Sequence, residues 1–326
     1  MNYQLLCSFA RKALTLLFAL CATGAALVSL GCAQTNLDTE PISVYSREDG
    51  SGTRSAFASL FGLETTINDK TVDTITPTAV VTNSTAVMMT SVASDPAAIG
   101  YISYGSLNDS VKALAIDGVV PSIETIKDRS YKVYRTFALV TDAPFEETSS
   151  THNQETSILK NDFLRFVSSE QGQAIIESEG FVSALSDPAL YERAAASQRP
   201  HGKLVIAGSS SVTGIMEKLS EAYEELNPDA SIEVQQSDST TGISMVQSGT
   251  CDIGMTSRDL TSSEEASGMV ATPLAYDGIA VIVNPDFPLD DLSSTEVARI
   301  FSGEIKTFGE LPSWQQTSKQ NDTTGA

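Results

Sequence analysis

Three segments of the sequence gather serine, threonine and glycine where an apolar run gives way to a helical pattern. They are residues 46–53 (SREDGSGT), 208–214 (GSSSVTG) and 237–242 (SDSTTG). The first turn of a helix offers unpaired N–H donors and a partial positive charge. Glycine lets a backbone approach a ligand closely, and each hydroxyl adds a donor. Three such turns that converge on one point would surround a tetrahedral oxyanion with neutral donors.

Arg47 stands beside the first turn, where its guanidinium could pair with an oxyanion through two hydrogen bonds. Each turn alone also fits ordinary helix capping, since serine, threonine and aspartate are common N-cap residues. An ion pair with Asp49 is another use for Arg47, and both uses hold together if Asp49 orients the guanidinium. The triple occurrence, with an arginine beside it, favours an anion site.

The elements that would position these turns alternate between strand and helix, which predicts parallel α/β sheets. One predicted helix has Phe57, Leu60 and Phe61 on a single face, and another runs up to Leu226. Residues 145–156 are polar and predict a loop. The predicted strands are residues 42–45, 99–102, 133–140, 204–207, 231–235 and 278–283.

The charge of the chain restricts what it binds. Lys and Arg number 20 against 41 Asp and Glu, so the formal net charge is −21. Nucleic acid is excluded as a partner because its phosphates need a basic surface. Small anions are repelled at long range as well. An anion site in this chain must therefore act locally, through backbone N–H groups, hydroxyls and one arginine.

Enzyme chemistry finds little support among the residues. The two histidines, His152 and His201, fall in a predicted loop and a linker, so a Ser-His-Asp hydrolase is not indicated. There is no HExxH motif, no Walker A lysine motif and no dinucleotide-binding glycine motif, and we expect neither cofactor nor metal. Three of the four cysteines lie in the first 32 residues, which leaves Cys251 without a partner, as a small buried apolar residue.

The N-terminus has the layout of a bacterial secretion signal. Arg11 and Lys12 precede an apolar run at 13–30, and Cys32 follows a glycine. This junction predicts a lipoprotein signal peptide, with Cys32 as the lipidated first residue, although Ser29 stands where such signals usually have leucine. An uncleaved signal anchor is the alternative, because 18 apolar residues just span a bilayer. Either way the body is held outside the cytoplasm, in a periplasm or at the outer face of the plasma membrane.

Several segments together resemble the phosphate-binding proteins of phosphate ABC transporters. The resemblance extends over nearly all of 42–182 and 202–310. It implies an α/β chain with a type-II periplasmic-binding-protein fold, in which two α/β lobes are joined by two hinge strands and the ligand lies in the cleft. The segments that carry it are residues 46–54, 98–102, 180–182, 204–213, 251–258, 277–284 and 300–306.

By position, the resemblance also implies the site. Some members have an aspartate in the cleft that accepts the proton of monohydrogen phosphate; the matching position here is Ser257, a residue that other members have too. Asp49 is a further candidate for this acceptor. The ligand implied is inorganic phosphate, the partners are ABC transporter permease subunits, and no reaction is performed on the ligand. The remaining phosphate contacts implied are Arg47, Ser51, Gly52, Thr53, Ser210, Ser211 and Ser239.

The order of the two halves departs from the family. The part that resembles 202–310 comes first in the family but second here. Circular permutation explains this if the original ends lie close together and 186–201 connects them. A truncated tandem, in which each half belongs to a different copy, is the rival explanation, and a domain-swapped dimer is intermediate.

The permuted interpretation divides the chain in a definite way. Hinge strands are expected near Arg135 and Tyr276. An envelope signalling or adhesion lipoprotein that kept the fold without transport, and a secreted phosphatase, are the alternative functions. The predicted divisions are a signal peptide 1–32, a linker 33–41, lobe B from 42–137 and 277–314, lobe A from 138–185 and 202–276, a connector 186–201 and a flexible tail 315–326.

Overall fold

The computed structural model describes residues 36–67, 70–142, 154–195, 197 and 199–316. Within these, Leu37 and the residues after it belong to one structural unit. Several predictions fall outside the described residues: the signal peptide with Cys32, the loop histidine His152, and most of the polar segment and of the tail. None of the helices described is long and apolar enough to cross a membrane.

Strands and helices alternate along the described chain, as the apolar patterns predict. Two short 3₁₀ helices add to them at Tyr104–Ser106 and Phe308–Glu310. The strands are β1 (Ser43–Arg47), β2 (Glu64–Ile67), β3 (Lys70–Asp73), β4 (Val80–Thr82), β5 (Ala98–Ser103), β6 (Lys112–Ala113), β7 (Ala115–Ile116), β8 (Tyr134–Thr141), β9 (Val182–Ser183), β10 (Gly202–Ser209), β11 (Ala230–Ser237), β12 (Ile253–Thr256), β13 (Val270–Val283) and β14 (Asp291–Leu292). The helices are α1 (Gly52–Leu60), α2 (Thr85–Ser94), α3 (Ile123–Lys127), α4 (Gln154–Val167), α5 (Glu170–Ser178), α6 (Ser210–Leu226), α7 (Ser239–Gln247), α8 (Ser262–Ala266) and α9 (Ser294–Phe301).

A mixed sheet in the order β11-β10-β12-β8-β13-β5-β1-β4 runs through the molecule. Its two flanks are parallel: β10 pairs with β11 and β12, and β1 pairs with β4 and β5. The two central strands, β8 and β13, are antiparallel to each other. β13 pairs with β8 up to Gly278 and with β5 from Ile279 onwards. One long strand therefore passes from one parallel flank to the other.

Two large apolar cores lie along this sheet. The first core takes its residues from 44–133 and 279–311, with Val182 added. The second core takes its residues from 137–275. Aromatic rings organise both: Phe57 stacks on Tyr101 in the first, with ring centroids 4.0 Å apart. Residues from the beginning and the end of the described chain thus share one core, while the middle of the chain forms the other.

The two ends of the described chain are attached to the first core. Ile42 donates its backbone N–H to the carbonyl of Lys306 at 2.8 Å. Leu37 and Trp314 both pack against the same core. The connector residue Tyr191 belongs instead to the second core, where its hydroxyl donates to Asp162 at 2.6 Å.

Three local predictions are wrong. Leu60 does not share the buried face of α1, because 42% of it is exposed. The loop predicted at 145–156 extends too far, since α4 begins at Gln154. The strand predicted at 278–283 is only the second half of β13, which has 14 residues. The first half was missed because Pro273 has no backbone N–H to donate to a neighbouring strand, which argues against a strand in the sequence. The structure accommodates it by a shift of register between Pro273 and Ala275.

Cys251 is buried and packs in a small cluster with Ala207 and Ile243. Burial raises the pKa of its thiol to about 11, and Asp252 adds to the rise. At pH 8 roughly one thiol in a thousand is then ionised, and the thiolate is the nucleophile. We expect iodoacetamide at pH 8 to leave Cys251 unmodified in the folded protein and to alkylate it fully in urea, as measured by peptide mass spectrometry. Rapid alkylation of Cys251 without denaturant would contradict this packing.

Candidate anion-binding site

The first serine–glycine turn lies between β1 and α1. Gly50 has φ +89°, a left-handed conformation that favours glycine, and it allows the chain to turn sharply after the strand. Ser51 is the N-cap of α1, and its hydroxyl accepts from the N–H of Arg54 at 3.4 Å. Ordinary capping is therefore part of what this turn does. It also places Gly52 and Thr53 at the start of the helix, where both are buried.

Arg47, at the end of β1, is buried and has one acidic partner. Its Nε and Nη2 donate to the carboxylate of Glu48 at 2.9 and 2.8 Å. Nη2 also donates to the Ser210 hydroxyl at 3.0 Å, which connects the first turn to the second. The partner considered from the sequence, Asp49, instead has its side chain 96% exposed and lies 3.2 Å from Arg54 Nη1. The structure thus leaves Asp49 outside the contacts of Arg47 and offers no support for it as a proton acceptor.

Hydroxyl groups from all three turns meet at one place. Thr53 Oγ1 and Ser211 Oγ lie 2.9 Å apart. Ser209 donates to Ser257 Oγ at 2.9 Å, and Ser239 Oγ lies 3.4 Å from that same atom. The backbone N–H of Ser257 donates to Ser239 Oγ at 3.1 Å. These five residues are all buried, at most 4% exposed, and we call them the hydroxyl cluster.

Gly52 completes the convergence because it has no side chain. A Cβ at Gly52 would lie 2.3 Å from Ser239 Oγ and 2.5 Å from Ser257 Oγ. The start of α1 therefore lies directly against the hydroxyl cluster. A hydroxyl can turn its proton toward an oxyanion or accept a proton from one. The arrangement of one guanidinium, several hydroxyls and helix starts is suited to holding a small oxyanion.

A buried ion pair between the two central strands touches the same site. Arg135 on β8 donates through Nε and Nη2 to Asp277 on β13, at 3.1 and 3.0 Å. Its Nη1 reaches the carbonyl of Ser257 at 3.4 Å. Burial raises the pKa of Asp277 and lowers that of Arg135, while their mutual attraction opposes both changes. The pair joins β8 to β13 at the position where hinge strands are predicted.

Sequence reasoning missed the residues that hold Arg47 in place. Arg54 donates from Nη1 to the carbonyl of Arg47 at 2.8 Å and is itself fixed by two bonds to Asp73, at 2.7 and 3.0 Å. The Tyr101 hydroxyl accepts from the N–H of Arg47 at 3.2 Å, and burial raises its pKa to about 12. Arg54 and Tyr101 both lie in segments that carry the family resemblance, which was the available signal. Nothing in the sequence pointed to Asp73 or to the choice of Glu48.

The comparisons with known proteins agree on one family. A family model described as the PBP superfamily domain matches residues 33–171 and 193–325. A phosphate-binding protein PstS 2 from Streptococcus agalactiae serotype V is 45% identical over 271 residues, which cover 83% of this chain and 87% of that protein. The chain belongs to the periplasmic phosphate-binding protein family. The predicted family is therefore confirmed.

A solved structure confirms the α/β periplasmic-binding-protein fold predicted for this family member. The crystal structure of a phosphate ABC transporter, phosphate-binding protein from Streptococcus pneumoniae TIGR4 matches with a TM-score of 0.65 and 39% identity. The match covers 85% of this chain and 99% of that one. The mixed α/β fold is thus shared with this solved relative.

The order of the halves is the same in at least one relative. A phosphate-binding protein PstS 2 from Streptococcus pneumoniae serotype 4 is 40% identical over 304 residues, 92% of this chain and 99% of that protein. Because one alignment covers nearly all of both proteins, their halves follow in the same order. The predicted circular permutation concerns the rest of the family, and it stays a prediction.

Replacing Gly52 tests whether the close approach of α1 to the hydroxyl cluster matters. In Gly52→Ala the new methyl group would collide with Ser239 and Ser257, so the two sides of the site cannot meet. We expect affinity for inorganic phosphate to fall by roughly tenfold or more, as measured by calorimetric titration.

Gly214→Ala is the matched control. Gly214 lies inside α6, and a Cβ there would meet no atom within 4 Å. This variant should bind phosphate normally and should be slightly more stable to heat, since alanine favours a helix by about 0.5–1 kcal/mol. Equal affinities in the Gly52 and Gly214 variants would contradict the site described here.

Proposed function

We propose that this protein is an extracytoplasmic receptor that captures inorganic phosphate and delivers it to an ABC importer, without performing any reaction on it. The observation that carries the proposal is the contact of a buried guanidinium, that of Arg47, with Ser210 beside a cluster of buried hydroxyls. The relatives described above are named for phosphate binding, which supports the same ligand.

The chemistry of the site favours an oxyanion in spite of the net charge of −21. Hydroxyl cluster side chains bond to one another and to the backbone N–H of Ser257, and no carboxylate is among their partners in the described residues. Buried charges cost free energy unless they are paired, and Arg47 already shares part of its charge with Glu48. Hydroxyls and backbone N–H groups, which are neutral hydrogen-bond donors, can then stabilise the remaining negative charge of a bound dianion. We therefore propose that the anion lies between Arg47 and the hydroxyl cluster.

The proposed phosphate contacts follow from this placement. Ser257 stands where some family members have an aspartate, and its hydroxyl could accept the proton of monohydrogen phosphate as well as donate. Asp49 is left out, because its side chain is almost fully exposed. The contacts proposed are Arg47, Ser51, Gly52, Thr53, Ser210, Ser211, Ser239 and Ser257.

We also propose that capture works by closure of two lobes. The first and second cores would be the cores of lobe B and lobe A, and β8 and β13 would be the hinge strands. Hinge closure around a ligand is a common device in binding proteins. Such closure requires that both lobes contribute residues to the site. Arg47 and Thr53 come from one side, and they contact Ser210 and Ser211 from the other. One chain then suffices for a complete site, which favours a permuted receptor over a truncated tandem.

Truncation of Arg47 tests the ligand assignment. Arg47→Ala would leave a buried dianion without its one guanidinium, and comparable losses cost about 2–5 kcal/mol. This corresponds to a loss of phosphate affinity of roughly 30- to several-thousand-fold. Calorimetric titration with phosphate, and with sulfate for comparison, measures it.

Arg299→Ala serves as the control for Arg47→Ala. Arg299 is 38% exposed in its side chain and pairs with Glu304 on the surface. Its loss removes the same charge from the protein but should leave phosphate affinity unchanged. If Arg47→Ala binds phosphate as the unaltered protein does, the proposed site is wrong.

We propose that Cys32 carries a lipid anchor, on the strength of the glycine–cysteine junction after the apolar run. A single thioether-linked lipid group plus an acylated N-terminus would then hold the body at the membrane. Cys32→Ser should release the protein into the soluble fraction, and mass spectrometry of the mature N-terminus should find a modified Cys32 in the unaltered protein. An unmodified N-terminus at another residue, or an intact leader, would contradict the anchor.

A further inference from the structure

A second set of contacts crosses the cleft without using the proposed phosphate contacts. Gly50, in the turn after β1, presents its carbonyl oxygen to the first turn of α7. Thr240 donates to that oxygen twice, from its backbone N–H and from its hydroxyl, at 3.2 Å each. The turn belongs to the side of the first core and α7 to the side of the second. These bonds therefore connect the two proposed lobes directly.

The shapes on the two sides fit closely. A Cβ at Gly50 would lie 2.6 Å from Asp238 Oδ1, so a larger residue would force the Asp238 side chain or the turn to shift. Asp238 caps α7 by accepting from the N–H of Thr241 at 2.9 Å. The N–H of Thr240 is one of the donors that a helix leaves unpaired in its first turn. Gly50 supplies an acceptor for that donor from across the cleft.

Arg258 fixes the direction of the threonine hydroxyl. Its Nη2 donates to Thr240 Oγ1 at 3.1 Å, which makes that oxygen an acceptor on one side and directs its own proton toward Gly50. Arg258 is held by two bonds to Glu264, at 2.9 and 2.8 Å. Burial acts to raise the pKa of Glu264, but the hydrogen bonds from Arg258 and from Thr261 outweigh it, so the pKa is lowered and Glu264 is ionised at neutral pH.

We propose that Gly50, Thr240 and Arg258 form a latch that sets phosphate affinity without touching phosphate. The bonds of the latch exist only while the lobes are together, so they favour the closed arrangement over the open one. Release of the ligand requires opening, and the latch must break first. Removal of the latch should therefore speed dissociation and leave the association rate nearly unchanged. The use of phosphate as the probe rests on the function proposed above.

Thr240→Val and Thr240→Ser together isolate the hydroxyl. Thr240 is exposed, so neither change disturbs a core. Valine keeps the shape and the backbone N–H but removes the hydroxyl, while serine keeps the hydroxyl. We expect Thr240→Val to raise the dissociation constant for inorganic phosphate about 2- to 5-fold, through a faster dissociation rate, and Thr240→Ser to stay near the unaltered value. Calorimetry gives the affinity and exchange of labelled phosphate gives the rate.

A second measurement needs no phosphate. Spin labels at Val120→Cys and Leu190→Cys, both on exposed residues of opposite sides, report the distance between the lobes. In phosphate-free buffer we expect Thr240→Val to show a longer or broader distance distribution than the unaltered protein and Thr240→Ser. If the protein fails to bind phosphate, the proposed function falls while this distance still decides the latch.

Two outcomes would overturn the latch. The first is a Thr240→Val variant whose lobe distance and phosphate dissociation rate both match those of the unaltered protein. The second is a Thr240→Ser variant that loses as much affinity as Thr240→Val, because the effect would then come from the helix and not from the hydroxyl.

Discussion

An acidic protein cannot gather an anion by its overall field, and this constraint governs the arrangement of the site. With a net charge of −21, the attraction has to come from groups within hydrogen-bond distance of the ligand. The groups available for this in the proposed site are one buried guanidinium, that of Arg47, and hydroxyls that bond to each other. Arg47, and Arg135 on β8 next to the site, are each paired with a carboxylate, so the net positive charge left near the site is small. In the proposed site, directional hydrogen-bond donors, more than charge, would then determine which anion fits.

The same need explains why the site is assembled from distant parts of the sequence. Each donor turn follows a strand of a parallel flank, because the starts of helices meet at the carboxyl edges of such strands. Two of the turns follow β10 and β11 in one flank, and the third follows β1 in the other. The two antiparallel strands β8 and β13 bring the edges of both flanks face to face. Arg135 and Asp277 join these strands, and Arg135 also donates to the carbonyl of Ser257, so the ion pair and the site have Arg135 as a common neighbour.

The sequence predicted those features that depend on local chemistry. Turns rich in serine and glycine can be located in a sequence, because capping and close backbone approach need those residue types. Hydroxyls from all three turns lie together in the structure. The partner of Arg47 was not predictable, because Glu48 and Asp49 are adjacent carboxylates and the choice between them depends on the direction and reach of each side chain in the folded turn. The first half of β13 was hidden by Pro273, since tertiary pairing tolerates a proline that a local pattern excludes. The contact of Gly50 with Thr240 joins residues 190 positions apart and leaves no trace in either local pattern.

Both ends of the described chain are fastened to the first core, and this has a mechanical consequence. The second core is formed by the middle of the chain, which, apart from Val182, leaves the first core after residue 133 and returns to it at residue 279. If Cys32 anchors the chain as proposed above, a load applied through that anchor acts first on the core that Leu37 and Trp314 pack against. With the anchor and the two lobes proposed above, the second lobe could move relative to the first without moving the anchored end of the chain.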